Sequence, residues 1–88
     1  MSSKKFIDNF RPEVKAQILG LYIKHSNPYS QDSVRWWNGF DRFLIKNKNH
    51  IKNLITNQLY TEFEKLTGSG EYDIMDSILN EIELLKKI

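Results

Sequence analysis

Apolar residues recur at three- and four-residue intervals along most of the chain, and no stretch alternates cleanly as a half-buried strand would. Val14, Ile18, Leu21, Tyr22 and His25 share one face of a first segment. Pro12 suits its opening turn, where a missing N–H costs nothing. The stretch "HSNPYS" must end it, because Pro28 removes a donor and disfavours helix at Asn27. Ser30 is the next N-cap candidate, with Asp32 placed in the first turn against the helix dipole. "NKNH" then interrupts or bends the second segment and offers Asn47 or Asn49 as a fresh cap. A third segment carries Ile51, Leu54, Ile55, Leu59, Phe63 and Leu66 and stops at Gly68. After the loop "GSGEY", Asp73 is expected to cap a fourth, striped by Ile74, Met75, Ile78, Leu79, Ile82 and Leu85. The pattern predicts an all-α fold, a compact bundle of about four helices near 12–25, 31–46, 49–67 and 74–87. One domain spans 1–88, with residues 1–10 as an ordered or frayed N-terminal arm.

The second segment, "SVRWWNGFDRFLIKN", holds the densest pattern. At about 100° per residue, Phe43, Trp36, Phe40, Leu44, Trp37, Val34 and Ile45 spread over an arc of roughly 200°. Opposite them, Asn38, Arg42, Arg35 and Lys46 fall in a stripe about 80° wide. An ordinary surface helix needs an apolar arc of only about 100° or a little more. The extra width means either a central helix with two neighbours or some aromatic surface left for a partner. Most of these residues are expected in the core. Trp36, at the edge of the arc beside Phe43, is the expected exposed anchor, since tryptophan is enriched in interface hot spots. Asp41 interrupts the arc between Trp37 and Val34, where an unpaired carboxylate is costly. A rim position, or a pair with a lysine or histidine, is the expected remedy; the alternative is a charge presented to a partner.

Gly20 and Gly39 sit inside helices, each costing roughly 1 kcal/mol relative to alanine. Ala16 and Gly20 form a small-residue face that would let another backbone approach closely. On the last helix Leu84 and Ile88 fall outside the main stripe and are candidates for self-association.

Composition narrows the classes. The 88 residues include no cysteine, which excludes disulfides and thiolate–zinc sites and favours a reducing, cytoplasmic setting. The N-terminal lysines are followed by no apolar run of a signal peptide, and no stretch approaches the roughly 20 apolar residues of a membrane span. Ten lysines against three arginines, with abundant asparagine and isoleucine, resemble the AT-rich coding sequence of phages and low-GC bacteria. The net charge of +2 conceals an asymmetry: residues 1–54 carry ten Lys/Arg against four Asp/Glu, and residues 55–88 three against seven. Such a split points to an electrostatic partner or to halves that complement each other.

No catalytic constellation is present. His25 and His50 lie in different segments without a partner motif, and no metalloprotease, P-loop or dinucleotide signature occurs. Glu62, Glu64, Glu81 and Glu83 flank the stripes as solvated charges. The expectation is therefore no enzyme, no cofactor and no metal. Two binding classes remain. The first is a small inhibitor, adaptor or regulator that docks on a partner protein through Arg35, Trp36, Asn38, Arg42, Phe43 and Lys46. A phage- or bacterium-encoded inhibitor of a nucleic-acid enzyme is its sharpest form. The alternative is a nucleic-acid binder whose basic stripe, with Lys48 and Lys52, tracks phosphates. Its break before the second helix is long for a helix-turn-helix, and that helix is too aromatic for a typical recognition helix.

Overall fold

The computed structural model describes residues 3–24 and 28–88. Among them 77% are helical and none is in a strand. The all-α expectation holds. The helices are α1 (Ser3–Ile7), α2 (Pro12–Ile23), α3 (Val34–Lys46), α4 (Lys48–Leu66) and α5 (Tyr72–Lys86). They belong to two compact units, residues 1–48 and 49–88. Against the four expected segments, α1 is an addition, and the stretch it opens buries Phe6, Ile7 and Phe10. His25, placed by periodicity on the first apolar face, lies outside the described residues.

The helix ends show how local chemistry shifted the boundaries. Ser33, not Ser30, caps α3: its backbone is extended, and its hydroxyl oxygen accepts from the Arg35 N–H at 3.2 Å. The Ser30 carbonyl accepts from the Ser33 N–H at 2.9 Å, so residues 30–33 close a turn before the helix starts. Asn47 ends α3 instead of opening α4, its amide donating to the Phe43 carbonyl at 3.0 Å. One residue separates the two helices. Gly68 stops α4 as expected. It takes φ +84°, in the left-handed region that costs glycine little. Asp73 is not the cap of α5; the helix starts at Tyr72 and leaves Asp73 in its first turn. There the carboxylate still opposes the positive end of the helix dipole.

In the first unit, Val14, Ile18 and Tyr22 of α2 and Trp36, Phe40 and Leu44 of α3 are buried. Tyr22 meets Trp36 edge-on at 5.1 Å and Phe40 at 5.5 Å, and Trp36 stacks nearly parallel on Phe40 at 5.8 Å. Helix α1 covers another side of α3. Lys4 lies 5.8 Å above the Trp37 ring, and the Asp41 carboxylate accepts from the Ser3 N–H at 2.9 Å. Asp41 is thus satisfied by a helix N-terminus and not by a lysine or histidine. It binds one of the free donors that every helix presents at its start. A bridge from Lys15 to Asp8, 2.6 Å long and exposed, ties the segment after α1 to α2.

In the second unit α4 buries Ile51, Ile55 and Leu59, and α5 buries Ile78, Ile82 and Leu85. Ile74 and Leu79, expected in the α5 stripe, are exposed instead. Glu81, expected to be solvated, is only 2% exposed. It stands one turn from both Ile78 and Leu85, so its position along α5 carries it inside with them.

Two stability predictions follow from this packing. A Cβ built at Gly20 meets nothing within 4 Å, so the Ala16–Gly20 gap admits no close neighbour. Gly20→Ala should therefore stabilise the protein by about 0.5–1 kcal/mol, read as a higher denaturant midpoint at unchanged slope. Asp41→Ala leaves the part-buried Ser3 N–H without its acceptor and should cost about 1–3 kcal/mol. Asp41→Asn keeps a carbonyl oxygen at the same place and should retain most of that stability in the same denaturation experiment.

Candidate functional site on the outer face of α3

Helix α3 sorts its side chains by direction. Trp36, Phe40 and Leu44 face inward; Trp37 and Phe43 are half-buried at the flanks. These five span about 120° of the wheel. The expected arc was wider because it also held Val34 and Ile45, which are 74% and 72% exposed. Asp41 stands on the boundary between the two groups.

The surplus apolar width is therefore real, but it lies on the opposite edge from the one expected. Trp36 is buried at 5% exposure, covered by Tyr22 of α2, and cannot serve as an exposed anchor. Phe43 leans on Tyr22 at 5.2 Å and is part of the same cluster. Trp37 is the more accessible tryptophan, and its indole N–H donates to the Gln31 carbonyl at 2.6 Å. A helical wheel ranks residues by angle but carries no information on which edge a neighbouring helix covers. The usable signal was Asp41, a carboxylate inside an apolar arc that marked where the core stops.

The polar members of the expected set do come together. Arg35, Asn38, Arg42 and Lys46 are all exposed on one side of α3. The Arg35 guanidinium lies 5.3 Å from the Tyr29 ring centroid and donates to its hydroxyl at 3.0 Å. Periodicity missed Tyr29 because it lies in the segment before the helix. Cation–π contact and hydrogen bond together restrain Arg35. Arg42 and Lys46 make no ion pair among the described residues. The outer face is thus a line of cations bordered by two exposed branched aliphatics. Val34 and Ile45 are separated by about 16 Å along the axis at about 1.5 Å per residue.

The rest of the surface has less to work with. Among the described residues no three His, Cys, Asp or Glu side chains cluster as a metal site would require. His50 is exposed. A shallow depression of about 350 Å³ runs along one face of α4, past Leu54, Gln58 and Glu62. On α5 the exposed Lys86 ammonium donates to Glu83 at 3.1 Å. That bond and the Glu83 charge, with a smaller contribution from Tyr60, raise Lys86 above the ordinary lysine range. Among the described residues no helix is long and apolar enough to cross a membrane.

No protein-family model matches the sequence, and no curated protein or solved structure matches it either.

The two tryptophans supply a direct check. Trp36→Ala and Phe40→Ala each empty a buried aromatic site and should cost on the order of 3–5 kcal/mol. Trp37→Ala should cost clearly less, and Trp37 should account for most of the fluorescence that acrylamide quenches. Equal quenching of both single-tryptophan variants would contradict the burial of Trp36.

Proposed function

We propose that this is a small non-enzymatic binding protein, of the inhibitor, adaptor or regulator type, working in the cytoplasm. It docks through the outer face of α3 on an acidic, partly apolar surface of a partner protein. The observation that carries this reading is the combination of Val34 and Ile45, each more than 70% exposed, with exposed Arg35, Arg42 and Lys46 on one helix. Single exposed aliphatics are ordinary on any protein. Two on the same side of a cationic helix give an interface both an apolar contact and a charge pattern that selects the partner. The buried aromatics hold the helix rigid, so little ordering is left to be done on binding. No described feature selects a nucleic-acid enzyme as that partner.

Nucleic-acid binding is the second reading. It is favoured by the line of exposed cations and by the charge of the first unit, nine Lys/Arg against four Asp/Glu. It ranks lower because a phosphate backbone has no use for Val34 and Ile45.

The experiment starts from capture on the tagged protein in native cytoplasm, with nuclease present, followed by kinetics on the purified captured protein. Arg42→Ala and Lys46→Ala should mainly slow association, whereas Val34→Ala and Ile45→Ala should speed dissociation. A double reversal, Arg42→Glu with Lys46→Glu, should weaken binding by at least about tenfold while leaving helicity unchanged. Random duplex DNA should show no salt-resistant binding. Tight duplex binding that loses about 0.7–0.9 from its log–log salt slope for each cation removed would promote the second reading instead.

A further inference from the structure

The outer face of α5 has the chemistry that the outer face of α3 lacks. Tyr72 is 72% and Leu79 45% exposed, and Asp76 and Glu83 are exposed beside them. On a wheel these four fall within about 60° of one another. The first unit carries nine Lys/Arg against four Asp/Glu, and the second four against seven. The two helices also share a spacing. Arg35 and Arg42 are seven residues apart on α3, Asp76 and Glu83 seven apart on α5, which is about 10.5 Å in each case. Each face pairs its charges with apolar side chains at its edge.

We propose that the outer face of α3 in one copy of this chain takes the outer face of α5 in a second copy. The inference rests on the reading of the α3 face as a docking surface and names a partner for it. On each helix the charged and apolar side chains of this face are solvent-exposed. The contact joins two different surfaces, so it either closes reciprocally in a two-fold pair or propagates from chain to chain. In an antiparallel register Arg35 and Arg42 meet Glu83 and Asp76, and Ile45 comes beside Tyr72. Among the described residues Glu83 is held by an exposed contact with Lys86, of a kind that contributes little and is readily exchanged. Leu84 and Ile88, singled out from the sequence for self-association, are both half-buried, whereas Tyr72 and Leu79, on the same side as Asp76 and Glu83, are exposed.

The test is sedimentation equilibrium of the full chain at about 50 mM and about 500 mM salt, between which the screening length falls roughly threefold. The wild-type protein should associate at low salt and dissociate at high salt. Arg35→Glu with Arg42→Glu makes both faces acidic; Asp76→Lys with Glu83→Lys makes both basic. Each double variant alone should associate at least about tenfold more weakly than wild type, with circular dichroism confirming that it folds. An equimolar mixture of the two should recover association, because each acidic face then finds a basic one. A wild-type chain that stays monomeric at low salt and about millimolar concentration overturns the proposal. So does a mixture that fails to recover, or association indifferent to both variants. The α5 variant separates this from the reading it rests on. If Asp76→Lys with Glu83→Lys still binds the captured partner protein while wild type is monomeric, the docking role of α3 stands and self-association falls.

Discussion

The aromatic strip of α3 has to be covered from more than one side, and the first unit is built around that constraint. With no cysteine, the chain has no disulfide to hold it, so aromatic burial carries the stability that small domains often take from covalent staples. Phe40, with no exposed surface, sits among Tyr22, Trp36, Trp37 and Phe43 at centroid distances of 5.5–6.3 Å. Tyr22 closes one flank from α2. The other flank is closed by α1, a five-residue helix far too short to persist on its own. It exists because Phe6 and Ile7 are buried and because Asp41 accepts the Ser3 N–H. A polar residue that looked like a fault in the apolar arc of α3 is what holds α1 in place.

That arrangement also explains which parts of the structure could be read from the sequence. Helix identity was legible wherever apolar spacing was long and regular, as in α4 with Ile51, Ile55 and Leu59. Ends set by backbone chemistry were partly legible. Gly68 fits any helix stop, but Ser30 and Ser33 are equivalent as letters, and only the turn between them decides which one caps. Helix α1 was not legible, because five residues give too few repeats for a period. Its stability comes from contacts with residues some forty positions away. The candidate surface was half legible. The cationic side of α3 followed from spacing alone, since long charged side chains seek water whatever packs opposite. The exposed apolar edge did not, because a wheel is blind to neighbours and the sequence preference for tryptophan at interfaces pointed to the wrong edge. The buried Glu81 was missed for a related reason: charge argued for solvent, and position on the stripe prevailed.

On the proposed reading, helix α3 serves packing on one side of its thirteen residues and docking on the other. Its inner side is intolerant, since buried aromatics in close-packed surroundings leave no room for other shapes. Its outer side is permissive for folding, because Arg35, Asn38, Arg42 and Lys46 point to water and exposed charge pairs contribute little to stability. A surface free of folding demands can be tuned for binding without endangering the fold. Effects on folding and on docking are then expected to add, since residues that share no partner rarely couple.

The separation is incomplete at one place. Asp41 lies on the helical wheel about 20° from Val34 and about 40° from Ile45, so the carboxylate that anchors α1 borders the apolar part of the proposed docking face. A partner seated on Val34 and Ile45 would exclude water from the neighbourhood of the Asp41–Ser3 bond. Less competition from water strengthens a charge-assisted bond of this kind. Binding there and anchoring of α1 then favour one another, and by linkage a chain with α1 released would bind less tightly. Such a coupling would run through the 2.9 Å Ser3–Asp41 hydrogen bond, and Asp41→Asn, which retains the acceptor but removes its charge, is the substitution that would weaken it without opening the core.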